Sequence, residues 1–147
     1  MATAFFSTPC NKSMAEKLKS TLFKESQPCG ACLLWTGEKN SFGYGVLRFS
    51  VAGKRVKFGV HRLAYFVEHP DVCLALNNHV SHLCHVKLCI QPAHLSYEPQ
   101  AVNNSRKSCV LNGECSGHYG FYLLCALNSV TRPVGCDTVV LKPSHAC

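Results

Sequence analysis

The chain has 147 residues, 47% hydrophobic and 16% charged, which is the size and balance of one folded domain and excludes a disordered chain. Its longest apolar run, Tyr119 to Leu127, is about half of what a membrane helix needs, and the lysine-bearing start shows no apolar core with a small-residue cleavage site, which argues against a signal peptide and a membrane role. The net charge of +7 lies entirely in residues 1–66, which hold ten Lys and Arg against three Asp and Glu; residues 67–147 hold five of each. Basic charge of this size suggests a polyanionic partner, nucleic acid first, against the plainer reading of a merely soluble surface.

Residues 1–11 read as a loose start. In residues 12–25, Met14, Leu18 and Leu22 recur at four-residue spacing with lysines between, predicting a short amphipathic helix with a basic outer face. Gln27-Pro28-Cys29-Gly30 breaks it, and Cys29 and Cys32 form a CxxC. Residues 42–60 read as a β-hairpin. Leu47, Phe49 and Val51 alternate on one strand, Val56, Phe58 and Val60 on the other, with Ala52-Gly53 as the turn. The opposite face then carries Arg48, Arg55 and Lys57, and a two-stranded ribbon with one basic face fits a DNA major groove.

His61–Glu68 is a short helix candidate closed by His69-Pro70. Residues 77–96, rich in Cys, His, Asn and Pro without periodicity, read as a loop-dominated, metal-stapled segment. Residues 98–107 read as one short helix, with Glu98 and Pro99 in its first turn and Arg106 and Lys107 in its last. Residues 109–125 form a second Cys/His loop. In the tail from Ala126, Thr138-Val139-Val140-Leu141 reads as an edge strand or a partner-binding arm. The organisation expected is therefore an N-terminal basic extension over residues 1–28, a core domain over 29–125 and a tail over 126–147.

Eleven cysteines and eight histidines stand out against this background. The choice is between a secreted disulfide scaffold and an intracellular metalloprotein. Metal is favoured. The cysteine count is odd, no secretion signal is evident, and the cysteines come with histidines at short spacing. Disulfides have no use for histidine, whereas zinc takes imidazole nitrogen and thiolate sulfur. A first site collects Cys84, Cys89 and His94, with the fourth ligand from Cys32 or its CxxC partner Cys29. A second collects Cys109, Cys115, His118 and Cys125. His82 is left without a structural role. Two residues before a zinc ligand, it is held rigidly enough to act as a base, and an imidazole near its reference pKa can take a proton from water. His79 and His85 are nearby alternatives.

Four stretches together resemble the His-Cys box homing endonucleases, part of the wider ββα-metal (His-Me finger, HNH-like) nucleases: His79-Val80-Ser81-His82-Leu83-Cys84, Cys89-Ile90-Gln91-Pro92-Ala93-His94-Leu95, Asn103-Asn104-Ser105-Arg106, and Cys109. Upstream, Gly43-Tyr44-Gly45 and His61-Arg62-Leu63-Ala64-Tyr65 look like the hairpin and following helix of related nucleases. The resemblance implies an α+β, zinc-stabilised ββα-metal fold with an antiparallel hairpin, short helices and two zinc-pinned loops. It implies His82 as general base, Asn103 as the ligand of a single catalytic Mg²⁺, two structural Zn²⁺ ions, and an arginine near the scissile phosphate, Arg55 or Arg48. Asn104, beside Asn103, is the competing cation ligand. Family-like exchange of the tail between subunits implies a homodimer.

The residue types suit the chemistry in their own right. Phosphodiester hydrolysis needs an activated water, charge stabilisation and an assisted leaving group. A hard cation keeps several waters and takes oxygen ligands, so one amide oxygen and phosphate oxygens suffice. The expected function is therefore a Mg²⁺-dependent endonuclease acting on double-stranded DNA, in the nucleus or cytoplasm. The alternatives are a catalytically silent zinc module that binds nucleic acid, and a protein-interaction zinc module.

Overall fold

A computed structural model describes residues 12–74, 78–113 and 115. Helix α1 (Lys12–Lys24) follows the four-residue spacing: Leu18 and Leu22 are buried, and the lysines face outward. Where the sequence suggested only a break, β1 (Ser26–Cys29) and β2 (Cys32–Trp35) pair as a tight antiparallel hairpin that turns at Gly30, whose φ is 56°. Trp35 is buried at its end, and its indole N–H donates to the Glu38 carbonyl at 3.0 Å. Gly45 lies so close to this ring that a Cβ there would meet Trp35 and Val60 at 2.6 Å.

The second hairpin matches its periodicity. β3 (Val46–Val51) and β4 (Lys54–Gly59) pair in register, Leu47 opposite Phe58 and Phe49 opposite Val56, with the Phe49 and Phe58 rings stacked at 4.6 Å. Ala52 and Gly53 both have positive φ, 47° and 76°, as a two-residue turn matched to strand twist requires. Both outer boundaries differ from the reading above, since β3 starts at Val46 and not at residue 42. Val60 starts helix α2 (Val60–Glu68) instead of ending the strand, and it is fully buried at the hinge between them. α2 is the central element, touching α1, β4 and the strands that follow, with Leu63, Ala64, Phe66 and Val67 in the shared core.

The largest departure comes next. Residues 77–96 were expected to be mainly loop, yet β5 (Asn78–His82) runs through them and pairs antiparallel with β6 (Leu95–Pro99), His82 opposite Leu95. A single 3₁₀ turn, Pro92–His94, leads into β6. Glu98 and Pro99 accordingly end a strand instead of starting a helix. Helix α3 runs over Gln100–Asn112 and stops at Gly113, a left-handed cap with φ 74° whose N–H bonds the Cys109 carbonyl. Arg106 and Lys107, expected in the last turn, therefore lie in the body of this helix, and Arg106 is buried. α3 packs on β5 and β6, which makes a ββα unit.

Candidate active site and metal centre

The connection between β5 and β6 carries three of the predicted metal ligands, and the chain pins it to the first hairpin. The Ile90 N–H bonds the Leu33 carbonyl at 2.8 Å, the Trp35 N–H bonds the Leu88 carbonyl at 2.9 Å, and Cys89 bridges to Leu34. This brings Cys32 to Cys84, Cys89 and His94. All four are buried, and their ligand atoms lie within 4.8 Å of one another. His94 Nδ1 is 3.6 Å from Cys32 Sγ and 3.5 Å from Cys89 Sγ. A tetrahedral zinc with ordinary Zn–S and Zn–N bonds sets such ligand edges at about 3.5 Å, so the donor set and its spacing fit that metal. Cys29, the cross-strand partner of Cys32, lies outside the four and is half-exposed. Cys84 hydrogen-bonds to Cys89. That interaction holds the Cys89 thiol down, at about 5, and with burial pushes the Cys84 thiol up, as closely packed sulfurs that share protons would be.

The second predicted site is only partly in view. Cys109 is buried on α3 and Cys115 is half-buried. His118 and Cys125 lie outside the described residues, as does the 138–141 segment.

His82 closes β5 at the edge of a cavity of about 660 Å³, whose lining includes His82, Asn103, His61, Tyr44, Lys57 and Lys107. His82 is nine-tenths buried, and its Nε2 lies 3.0 Å from the Cys89 carbonyl. A carbonyl only accepts, so Nε2 carries the proton and Nδ1 keeps the lone pair. Burial lowers the imidazole pKa to about 4, partly offset by the bond to Cys89. His82 is therefore neutral at pH 7.

Asn103 and Asn104 separate on α3: Asn103 lines the cavity, whereas Asn104 is exposed and its carbonyl accepts a bond from Ser108. His79 and His85 also line the cavity, but only His82 is held by the zinc-loop backbone through its ring. His61 was not predicted as a site residue. Its ring is 4.9 Å from that of His82, and burial first, then the positive charge that His82 would carry, depress its pKa to about 3. Tyr44 lies 6.0 Å from the His82 ring, in a loop shaped by Asn40 Oδ1, which accepts the N–H groups of Phe42 and Tyr44. The Gly43-Tyr44-Gly45 and His61-Arg62 stretches were the available signals for both.

The basic face of the β3–β4 hairpin is real but not uniform. Arg48 and Lys57 are cross-strand partners, and both reach the Glu38 carboxylate, at 2.8 and 3.6 Å. Lys57 lines the cavity; Arg55 and Arg48, the arginines expected near the phosphate, do not. Lys87, which the sequence did not single out, also lines it, with its ammonium 3.0 Å from the Phe42 carbonyl and over the Tyr44 ring.

No helix among the described residues is long and apolar enough to cross a membrane. No curated protein sequence matches the chain. A family model does: that of the zinc-binding loop region of homing endonuclease, over residues 31–133, more than half of the chain and both cysteine clusters. With the mixed α+β architecture and the buried Cys₃His metal site, the resemblance read from the motifs is borne out, and the chain belongs to this homing-endonuclease family of DNA-directed nucleases.

Proposed function

We propose that the protein is a divalent-cation-dependent endonuclease that hydrolyses phosphodiester bonds of double-stranded DNA in the cavity between β5, α3 and the β3–β4 hairpin. The observation that carries this reading is the meeting of His82, from a strand, and Asn103, from a helix, in one cavity edged by Lys57, Lys87 and Lys107. His82 takes a proton from the attacking water. Its tautomer is set by the Cys89 carbonyl, and its low pKa keeps the base form fully populated. An anionic phosphate entering the cavity favours the imidazolium and so raises the basicity of His82 toward what the reaction needs.

No carboxylate lines the cavity among the described residues, and the other lining amide, Asn40, already accepts two backbone N–H groups through its Oδ1, which leaves the Asn103 amide oxygen as the donor suited to a hard cation. When bound there with phosphate oxygens, Mg²⁺ would stabilise charge at the phosphate and the leaving oxygen. Lys57 takes the phosphate-side role that the sequence offered to Arg55 or Arg48, while those two extend the basic surface along the duplex. Cys32, Cys84, Cys89 and His94 hold a structural zinc, a closed four-ligand set with no open position. Cys109, Cys115, His118 and Cys125 hold a second. The protein acts as a homodimer on a roughly two-fold site.

The test is supercoiled plasmid with zinc-replete protein, in Mg²⁺ and in EDTA, beside His82→Ala. Nicking that needs Mg²⁺ and is lost in His82→Ala, with DNA binding and zinc content kept, is expected. Mg²⁺-independent binding with no nicking by the wild type would mark a silent binding module instead. Metal analysis should return two zinc ions per chain, and sedimentation a dimer.

A further inference from the structure

From Ser81, which lines the cavity, a polar network runs inward that neither the zinc centre nor the proposed chemistry uses. Arg106 and Glu98 are both completely buried, at 0% exposure. The Arg106 guanidinium donates to Glu98 Oε1, and also to Ser81 Oγ at 2.6 Å. The Ser81 hydroxyl donates in turn to Glu98 Oε1. These residues come from all three elements of the ββα unit: Ser81 from β5, Glu98 from β6 and Arg106 from α3.

Their positions in the chain give the network its meaning. Ser81 is the chain neighbour of His82, and Arg106 sits three residues after Asn103, nearly one helical turn along the same side. The network therefore clamps the strand that carries the base against the helix that carries the cation ligand, at a point next to both. As a source of stability it is poor. Glu98 Oε2 and Arg106 Nε and Nη1 are buried with no hydrogen-bond partner among the described residues. A buried ion pair of this kind is often no more stable than well-packed uncharged side chains. What an uncharged pair does not supply is directionality. The planar guanidinium fixes helix rotation and strand register through hydrogen bonds, and a catalytic pair tolerates only about half an ångström of misplacement.

Resting on the nuclease reading, we infer that Ser81, Glu98 and Arg106 are positioning residues, which set the spacing between the His82 imidazole and the Asn103 amide and thereby the cation affinity and turnover of the site. The test compares zinc-loaded wild type, Glu98→Gln/Arg106→Met and Ser81→Ala, with His82→Ala as the inactive reference. For each, three quantities are read: melting temperature with zinc content, Mn²⁺ affinity on an uncleavable phosphorothioate duplex by water-proton relaxation, and single-turnover cleavage against Mg²⁺.

The uncharged pair is expected to keep zinc and to melt near the wild type, yet to bind Mn²⁺ about tenfold more weakly and cut about a hundredfold more slowly at saturating Mg²⁺. Ser81→Ala, which keeps the ion pair, should show the same pattern at about tenfold in rate. A purely structural network predicts that cleavage and Mn²⁺ affinity follow melting in every variant, and that outcome overturns the inference. If the paired variant does not fold, Ser81→Ala alone decides: wild-type Mn²⁺ affinity and rate would overturn it. A wild type that cuts no better than His82→Ala removes the nuclease reading and this inference together, whereas a cutting wild type matched by Ser81→Ala and the paired variant removes this inference alone.

Discussion

Two hairpins of one small domain follow different rules. β3–β4 is built by its own sequence: alternating Leu47, Phe49, Val56 and Phe58 give one apolar face, and Ala52-Gly53 gives a turn with two positive φ angles. Short-range signals suffice, because the strands meet through a two-residue loop. β5–β6 has strands reading NHVSH and LSYEP, joined by the connection Leu83–His94. Polar strands far apart along the chain face a larger closure cost and have little apolar alternation to set their register. Here the metal ligands set the ends, and the buried Ser81–Glu98–Arg106 network adds a second fixed point. The self-sufficient hairpin supplies a basic surface, and in the function proposed above the one that depends on distant partners supplies the base.

The sharpest way to break this contrast is to remove the metal. Chelation or Cys84→Ser should destabilise the domain by on the order of 10 kcal/mol of lost zinc-binding free energy. Hydrogen exchange should show amides of β5 and β6 losing protection first, with β3–β4 amides protected longer. Equal loss in both hairpins would end the distinction. Cys29→Ser should leave melting and zinc content near wild type.

Next in size is the pair of asparagines. Asn103→Ala should slow cleavage by at least about a hundredfold, the several kcal/mol that a bound cation supplies, while Asn104→Ala stays within a few-fold. Single-turnover cleavage rates against Mg²⁺ would check this. Comparable losses would mean that α3 is rotated from the arrangement described.

A smaller effect is expected from pH. His61, His82 and His85 have pKa values lowered mainly by burial, to about 3, 4 and 4. A lowered histidine pKa means that the unfolded chain binds more protons than the folded one between the folded value and about 6.5. Stability is therefore full above about pH 6.5 and falls as pH drops toward 4, by at most about 1.4 kcal/mol per pH unit for each such histidine. His61→Gln should flatten this slope in denaturant titrations at pH 7, 6 and 5; an unchanged slope would remove His61 from the acid lability and leave it to His82, His85 and the metal centre.

The smallest effect belongs to the self-sufficient hairpin. Replacing Arg48, Arg55 and Lys57 together should leave the melting temperature almost unmoved. It should lower the slope of log affinity against log salt by up to about 3, roughly 0.9 for each phosphate that is no longer neutralised. An unchanged binding isotherm would place the duplex on another face.

What was legible in the sequence follows from the same physics. Helices α1 and α2 were readable to within a residue, and the β3–β4 hairpin in its pairing and turn though its start was read four residues early, because their signals are periodic and local. The ligand residues of the Cys₃His site were readable because few other roles bring cysteine and histidine together. Strands β5 and β6 were not, since Asn78, His79, Ser81 and Ser96 are poor strand signals and Glu98-Pro99 imitates a helix start. Arg106 read as a last-turn charge because nothing local reveals that the helix runs on to Asn112 and that Glu98 and Ser81 fold beneath it.

By itself, the sequence determined the class of the protein: a basic, metal-rich domain whose motifs carry a nuclease-like order of His82, the zinc ligands and Asn103. Only the tertiary structure decided between near neighbours. It brings in Cys32 over Cys29 because antiparallel pairing puts one of them under the Leu88–Ile90 segment. It turns Asn103 over Asn104 into the cavity because successive helix positions diverge by about 100°, and it lines the cavity with Lys57 and not Arg55 because the hairpin meets the cavity at its open end, where β3 starts and β4 finishes. Each choice separates residues of similar chemistry by where the chain returns, and that is fixed by contacts between segments far apart in sequence.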